Sequence, residues 1–134
     1  MDLDPTKKNP DAGTLYVVAT PIGNLDDLST RAITVLGRVD VIAAEDTRVS
    51  QKLVPARTEP PRWFSLHDHN ETRAIQPLID RLLAGQHIAL LSDAGTPLIS
   101  DPGYRLVHAA HDHRIRVSPI PGPNAAMPAL SAAG

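Results

Sequence analysis

Five short apolar runs divide the chain at fairly regular intervals. Each run is rich in Val, Ile and Leu and shows no strict alternation with polar residues, which is typical of β-strands buried on both faces. The runs cover residues 15–19, 39–44, 63–66, 88–91 and 115–120. We therefore expect five strands that form the interior of one sheet.

The segments between the runs have helical character, and each begins at a residue that favours a helix start. Ser29 precedes residues 30–38, Asn70 precedes 71–85, Asp101 with Pro102 precedes 103–113, and Asn124 precedes 125–133. Strands that alternate with helices predict an α/β fold with a mostly parallel five-stranded sheet flanked by helices. In such a sheet, ligands bind at the carboxyl ends of the strands.

The segment 71–85 shows the clearest amphipathic pattern. Leu78, Ile79, Leu82 and Leu83 form one apolar stripe, and Gly85 supplies a C-terminal stop. Pro77 lies inside the segment, so we expect either a kink or a later helix start. Before the first run, the polar residues 1–13 predict a flexible leader, and residues 14–134 predict a single domain.

Composition narrows the possible functions. The chain has 134 residues, of which 42% are hydrophobic and 21% charged, as in ordinary globular proteins. Aromatic residues make up only 3%, too few for a protein that stacks the bases of single strands. The formal net charge is −2, so any binding of nucleic acid must come from a local part of the surface. Cysteine is absent and no apolar run could span a bilayer, so we expect a cytoplasmic protein without disulfides or membrane contact.

Charged side chains follow the second and third predicted strands. In AEDTR, Asp46 and Arg48 could orient a hydroxyl group, or they could pair with each other while Asp46 or Thr47 caps the next helix. In HDHN, His67 and His69 form a pair that a metal could use, but no third ligand is fixed by the spacing. We therefore predict no metal site and favour contact with substrate or with an interface.

The fourth run leads into SDAGTPLISDPG, the most informative stretch of the chain. It contains Asp93 and is longer than an ordinary strand-to-helix connection, which favours a binding loop. Gly95 allows close approach to the backbone, and Thr96 offers a hydroxyl. The first run leads into TPIGN, where a small-residue turn could admit a ligand or could serve turn geometry alone.

These motifs, in this order, resemble the ribosomal RNA small subunit methyltransferase I family. The resemblance rests on LYVVATPIGNLDDLSTRA, AAEDTR, LHDHNE, SDAGTPLISDPG and PGPNAAMPALSAAG, and it runs from about Leu15 to the last residue. The family belongs to the tetrapyrrole methylase-like superfamily of two-domain α/β proteins that bind S-adenosylmethionine between the domains. Its members form homodimers and methylate the 2′-oxygen of a cytidine in the decoding region of 16S ribosomal RNA, in the small ribosomal subunit.

The resemblance implies which residues bind the cofactor. They are Pro21, Ile22, Gly23 and Asn24 after the first strand, Gly95, Thr96, Pro97, Leu98 and Ile99 after the fourth, and Asn124 and Ala125 after the fifth. Thr96 stands where relatives carry Asp, and Asn124 with Ala125 replaces a hydroxyl-bearing pair. The chain corresponds to the N-terminal domain, so we expect the fragment to be inactive without a C-terminal domain.

Methyl transfer from a sulfonium is an in-line displacement, in which positioning dominates and a base assists the attacking hydroxyl. We assign the base to Asp46 or Asp93, and contact with the RNA backbone or base to Arg48 and to His67 or His69. Two alternatives remain. The chain could belong to an enzyme that methylates a tetrapyrrole carbon, or it could be a folded module without catalytic activity.

Overall fold

A computed structural model describes residues 7–19, 28–54, 56–67, 70–92 and 103–120. Within these ranges the chain forms five strands: β1 (Thr14–Ala19), β2 (Val41–Ala44), β3 (Arg62–Ser65), β4 (Ile88–Ser92) and β5 (Arg116–Ile120). The helices are α1 (Thr30–Leu36), α2 (Thr47–Ser50), α3 (Glu71–Leu83) and α4 (Tyr104–Asp112), and a 3₁₀ turn covers Gln51–Leu53. The strands match the predicted runs to within one or two residues at each end.

All five strands belong to one parallel sheet in the order β3-β2-β4-β1-β5. The predicted α/β fold with a parallel five-stranded sheet is therefore confirmed. The register pairs Ala19 with Ser92 and Ala44 with Ser65, so the carboxyl ends of the four strands lie along one edge of the sheet. We call this edge the carboxyl edge.

Each face of the sheet has its own apolar core. On one face, Val17 and Leu90 pack with residues of α3 and α4, including the fully buried Leu106. On the other face, Val18 and Leu91 pack with residues of α1 and with the residues around it. Because neighbouring residues of a strand point to opposite faces, runs buried on both sides have no polar alternation.

Capping explains where two of the helices begin and end. The Ser29 hydroxyl accepts a hydrogen bond from the Ala32 N–H at 3.1 Å, which confirms the predicted cap of α1. At the other end of α1, the Arg57 guanidinium donates to the carbonyls of Leu36 and Val39. Helix α3 ends before Gly85, whose φ of +96° suits glycine, as expected.

Helix α3 differs from the prediction at two positions. It begins at Glu71 and continues through Pro77, so the expectation of a later start is wrong. Ala74 and Ile75 pack against the core before the proline, and Leu78, Ile79 and Leu82 are buried after it, so packing holds the helix against the sheet on both sides of the missing N–H group. Leu83, expected in the same stripe, is 37% exposed.

Residues 9–13, which the sequence assigns to a flexible leader, are hydrogen-bonded to the domain. The Asn9 N–H donates to the Arg114 carbonyl at 2.9 Å, and the Gly13 N–H donates to the Leu82 carbonyl at 2.8 Å. Ala12 packs against the core that contains α3 and α4. None of the helices in the described ranges is long and apolar enough to cross a membrane.

Gly13 is predicted to be essential for this close approach. A Cβ at this position would overlap the backbone carbonyl of Gln86, which no side-chain rotation relieves. We expect Gly13→Ala to lower the free energy of unfolding by about 1–3 kcal/mol, as overpacking does. Gly37→Ala is the matched control, because Gly37 has a φ of −77° that alanine adopts readily. Urea denaturation of both variants tests this, and equal midpoints would contradict it.

Candidate functional site at the carboxyl edge

The chain leaves the central strands β1 and β4 toward opposite faces of the sheet. After β1 it passes to α1 on one face and on to β2, whereas after β4 it passes to α4 on the other face and on to β5. Strands β1 and β4 are direct neighbours, so a topological switch point lies between their carboxyl ends. Ligands of open α/β sheets bind in the crevice at such a point.

Small residues end the four strands that lie along this edge. The last residues of β1 to β4 are Ala19, Ala44, Ser65 and Ser92. Ala44 is buried and Ala19 is half-buried. Short side chains at these positions leave the space beyond the strand ends to the residues that follow and to any ligand bound there.

Each predicted site residue follows the carboxyl end of a strand of this sheet. Asp46, Arg48 and His67 belong to the described residues. The other predicted positions lie outside them: Asp93, His69, Pro21, Ile22, Gly23, Asn24, Gly95, Thr96, Pro97, Leu98, Ile99, Asn124 and Ala125. The segments that carry the predicted cofactor residues follow β1, β4 and β5, three strands that are adjacent in the sheet.

Asp46 caps the helix that follows β2. Its Oδ1 accepts a hydrogen bond from the Arg48 N–H at 3.0 Å, and its carbonyl accepts from the Ser50 N–H at 3.1 Å. The same Oδ1 lies 3.8 Å from Nε of Arg48, whose side chain is 91% exposed. The structure thus contains both the cap and the ion pair that the sequence left as alternatives to a functional role.

Asn70 closes the loop that carries His67. Its Oδ1 accepts from the His67 N–H at 2.8 Å, and its Nδ2 donates to the Ser65 carbonyl at 2.7 Å. Asn70 precedes α3 as expected, but its side chain makes no capping bond to that helix and turns back to β3. The amide fixes the backbone of His67, whose ring is half-buried at the carboxyl edge.

Glu71 joins the beginnings of α3 and α4. This side chain is only 8% exposed, and its Oε1 accepts a hydrogen bond from the Arg105 N–H at 3.0 Å. The Arg105 Nη1 in turn donates to the Thr72 hydroxyl at 3.0 Å. A carboxylate is well placed at the amino end of α4, where unpaired N–H groups point outward.

Helix α4 begins one residue later than the sequence predicts. Its N-cap is Gly103, while Asp101 and Pro102 lie outside the described residues. A Cβ on Gly103 would overlap the side chain of Leu90, so glycine allows the start of this helix to pack closely against β4. The start of α4 is therefore held by a tight contact and by the Glu71 hydrogen bond.

Sequence reasoning missed Asn70 and Glu71 as organisers of this edge. Both belong to LHDHNE, but the partner of Glu71 lies 34 positions further along the chain. Among the residues that the structure describes, no three His, Cys, Asp or Glu side chains converge as metal ligands.

The arrangement defines a parallel α/β domain with a topological switch point at the carboxyl edge. Residues 14–134 match the model of the tetrapyrrole (corrin/porphyrin) methylases. The chain belongs to this methylase family.

The resemblance to ribosomal RNA methyltransferases is also confirmed. The chain is 57% identical over 122 residues to the ribosomal RNA small subunit methyltransferase I of Escherichia coli O157:H7, covering 91% of this chain and 43% of that protein. It is 54% identical to the protein of that name from Vibrio cholerae serotype O1, covering 92% and 43%. The chain therefore spans less than half the length of these relatives.

A solved structure supports the fold. The uroporphyrin III C-methyl transferase from Thermus thermophilus superimposes with a TM-score of 0.65 at 19% identity, covering 88% of this chain and 52% of that one. At this identity the likeness concerns the fold alone.

The link between α3 and α4 yields a prediction about stability. Glu71→Ala removes the acceptor of the Arg105 N–H, and an unsatisfied group of this kind costs about 1–3 kcal/mol. Glu71→Gln retains an oxygen at the same distance and should keep most of the stability. Thr72→Val, which removes only the exposed bond to Arg105, is the control. Chemical denaturation measures all three, and a Glu71→Ala variant as stable as Thr72→Val would refute the prediction.

Proposed function

We propose that this chain is the cofactor-binding part of an enzyme that methylates the 2′-oxygen of a cytidine in 16S ribosomal RNA, with S-adenosylmethionine as methyl donor. The single observation that carries the proposal is the switch point between β1 and β4. The segments with the predicted cofactor residues leave from this point and from the adjacent β5. The names of the relatives support ribosomal RNA as the substrate class. We expect a cytoplasmic homodimer.

The carboxyl edge suits a cofactor of this kind. S-adenosylmethionine supplies an activated methyl group on a sulfonium. Pro21, Ile22, Gly23 and Asn24 would hold it from the β1 side, Gly95 to Ile99 from the β4 side, and Asn124 with Ala125 from the β5 side. The short side chains of Ala19 and Ala44 favour a ligand that rests directly on the strand ends.

The polar residues after β2 and β3 would then act on the RNA. A carboxylate of Asp46 or Asp93 would accept the proton of the ribose 2′-hydroxyl while the hydroxyl oxygen takes the methyl group, the carbon–sulfur bond breaks and the donor leaves as a neutral thioether. Arg48 is nearly fully exposed and could contact a phosphate beside this ribose. His67, with its backbone fixed by Asn70, and His69 would orient the backbone or the base.

Two measurements test the proposal. Calorimetric titration of this chain with S-adenosylmethionine should give binding in the micromolar range, and absence of binding would favour a module that needs the rest of the protein. The methyl-transfer assay uses the complete protein, meaning a polypeptide of the relatives' length that includes this chain. It should place methyl groups on small-subunit ribosomal RNA and not on a corrin precursor. Methylation of the corrin precursor alone would overturn the proposal.

Asp46 has two roles, the observed helix cap and the proposed base, and one substitution distinguishes them. Asparagine caps helices about as well as aspartate does, so Asp46→Asn should leave the unfolding midpoint unchanged. If the carboxylate takes the proton, single-turnover methyl transfer by the complete protein should fall by about 10²–10⁴-fold. Asp112→Asn, an exposed change at the far end of α4, is the control. A parental rate in Asp46→Asn would remove Asp46 as the base.

A further inference from the structure

Every helix of the described residues carries an arginine in its first turn. These four residues, which we call the arginine rim, are Arg31 in α1, Arg48 in α2, Arg73 in α3 and Arg105 in α4. Since each helix follows a parallel strand, all four helix starts lie at the carboxyl edge. The rim therefore lies along the same edge of the sheet as the candidate site.

The helix dipole does not favour this placement. The amino end of a helix carries partial positive charge, so a cation in the first turn is disfavoured and an acid is preferred. Helices α1, α2 and α4 nevertheless have no acidic residue in the first turn. Asp46 pairs with Arg48 and Arg105 bonds to Thr72, whereas Arg31 and Arg73 have no such bond among the described residues. A bound anion would explain the placement of these two.

The guanidinium groups of the rim are available to a partner. All four side chains are exposed, and those of Arg31 and Arg73 form no hydrogen bond or ion pair with the described residues. Arg48 approaches one carboxylate oxygen of Asp46 through Nε, and Arg105 uses Nη1 for Thr72, so both retain further N–H donors. Planar guanidinium groups match phosphate oxygens in bidentate geometry.

The spread of the rim favours an extended polyanion over a single small anion. The four helices lie on both faces and along a five-stranded edge, which is about 19 Å long at about 4.8 Å between strands. Along the sequence, the residues that follow β1, β3 and β4 include Asp26, Asp27, Asp68, Asp93 and Asp101. With a net charge of −2, the chain therefore offers discrete contacts to a polyanion and no broad positive field.

We propose that the arginine rim binds the phosphates of the RNA strand whose ribose enters the site. This inference rests on the proposed function and adds to it the surface that holds the RNA. Phosphate contacts of this kind fix the orientation of a nucleic acid without reading its sequence. The rim would thus set how the strand lies across the strand ends, while the residues after β2 and β3 act on the ribose itself.

The test compares two double variants of the complete protein. Arg31→Gln with Arg73→Gln removes two rim contacts, whereas Arg38→Gln with Arg116→Gln removes two exposed arginines at the opposite edge of the sheet. Binding of a naked 16S ribosomal RNA transcript is measured at several salt concentrations. Each phosphate contact with single-stranded RNA contributes about 0.7 to the slope of log K against log salt, so the rim variant should lose about 1.4. The control variant should keep the parental slope.

Other outcomes distinguish a failure of the arginine rim from a failure of the proposed function. If the parental protein methylates the transcript but the rim variant keeps its slope, or if both variants lose equally, the rim is refuted and the proposed function stands. Weaker binding to assembled subunits with unchanged binding to naked RNA would assign the rim to a ribosomal protein and overturn the inference. Loss of S-adenosylmethionine binding in the rim variant would also overturn it. A parental protein that methylates no RNA would refute the proposed function itself.

Discussion

The parallel pairing of β1 with β4 is the constraint on which the rest of the structure depends. Their register, from Leu15 opposite Ile88 to Ala19 opposite Ser92, brings together two strands that are far apart in sequence. A shift of one residue would exchange the side chains of the two faces. Both faces are buried, with Val17 in one core and Val18 in the other, so the two cores fix this register together. The switch point follows from it.

The sequence predicts the strands well because a strand buried on both faces appears as an apolar run without polar alternation. The run at residues 88–91 becomes β4, and Ser29 caps α1 as its type suggests. The predicted second strand starts too early, because the Val39 N–H still donates to the Val35 carbonyl of α1. Strand order was not predictable, since apolar runs of similar composition do not specify their neighbours.

The site was predictable in its location and less so in its internal bonding. Parallel strands bring their carboxyl ends to one edge, so Asp46 and His67 were expected there from alternation alone. The hydrogen bond between Glu71 and Arg105 joins residues far apart in the sequence, and no local pattern reveals it. Asn70 precedes a helix as caps do, but its amide binds the backbone of the preceding loop.

These bonds divide the polar residues of the carboxyl edge into two groups. Asp46, Asn70 and Glu71 bind backbone N–H groups of their own or neighbouring helices and loops, which fixes the frame. The guanidinium groups of the rim lie outside this frame, with donors that the fold does not use. Catalysis by positioning requires a rigid site and a substrate held in one orientation. In this domain the first requirement is met by the carboxylate and amide bonds to the backbone, and the second would be met by exposed arginines that retain unused N–H donors.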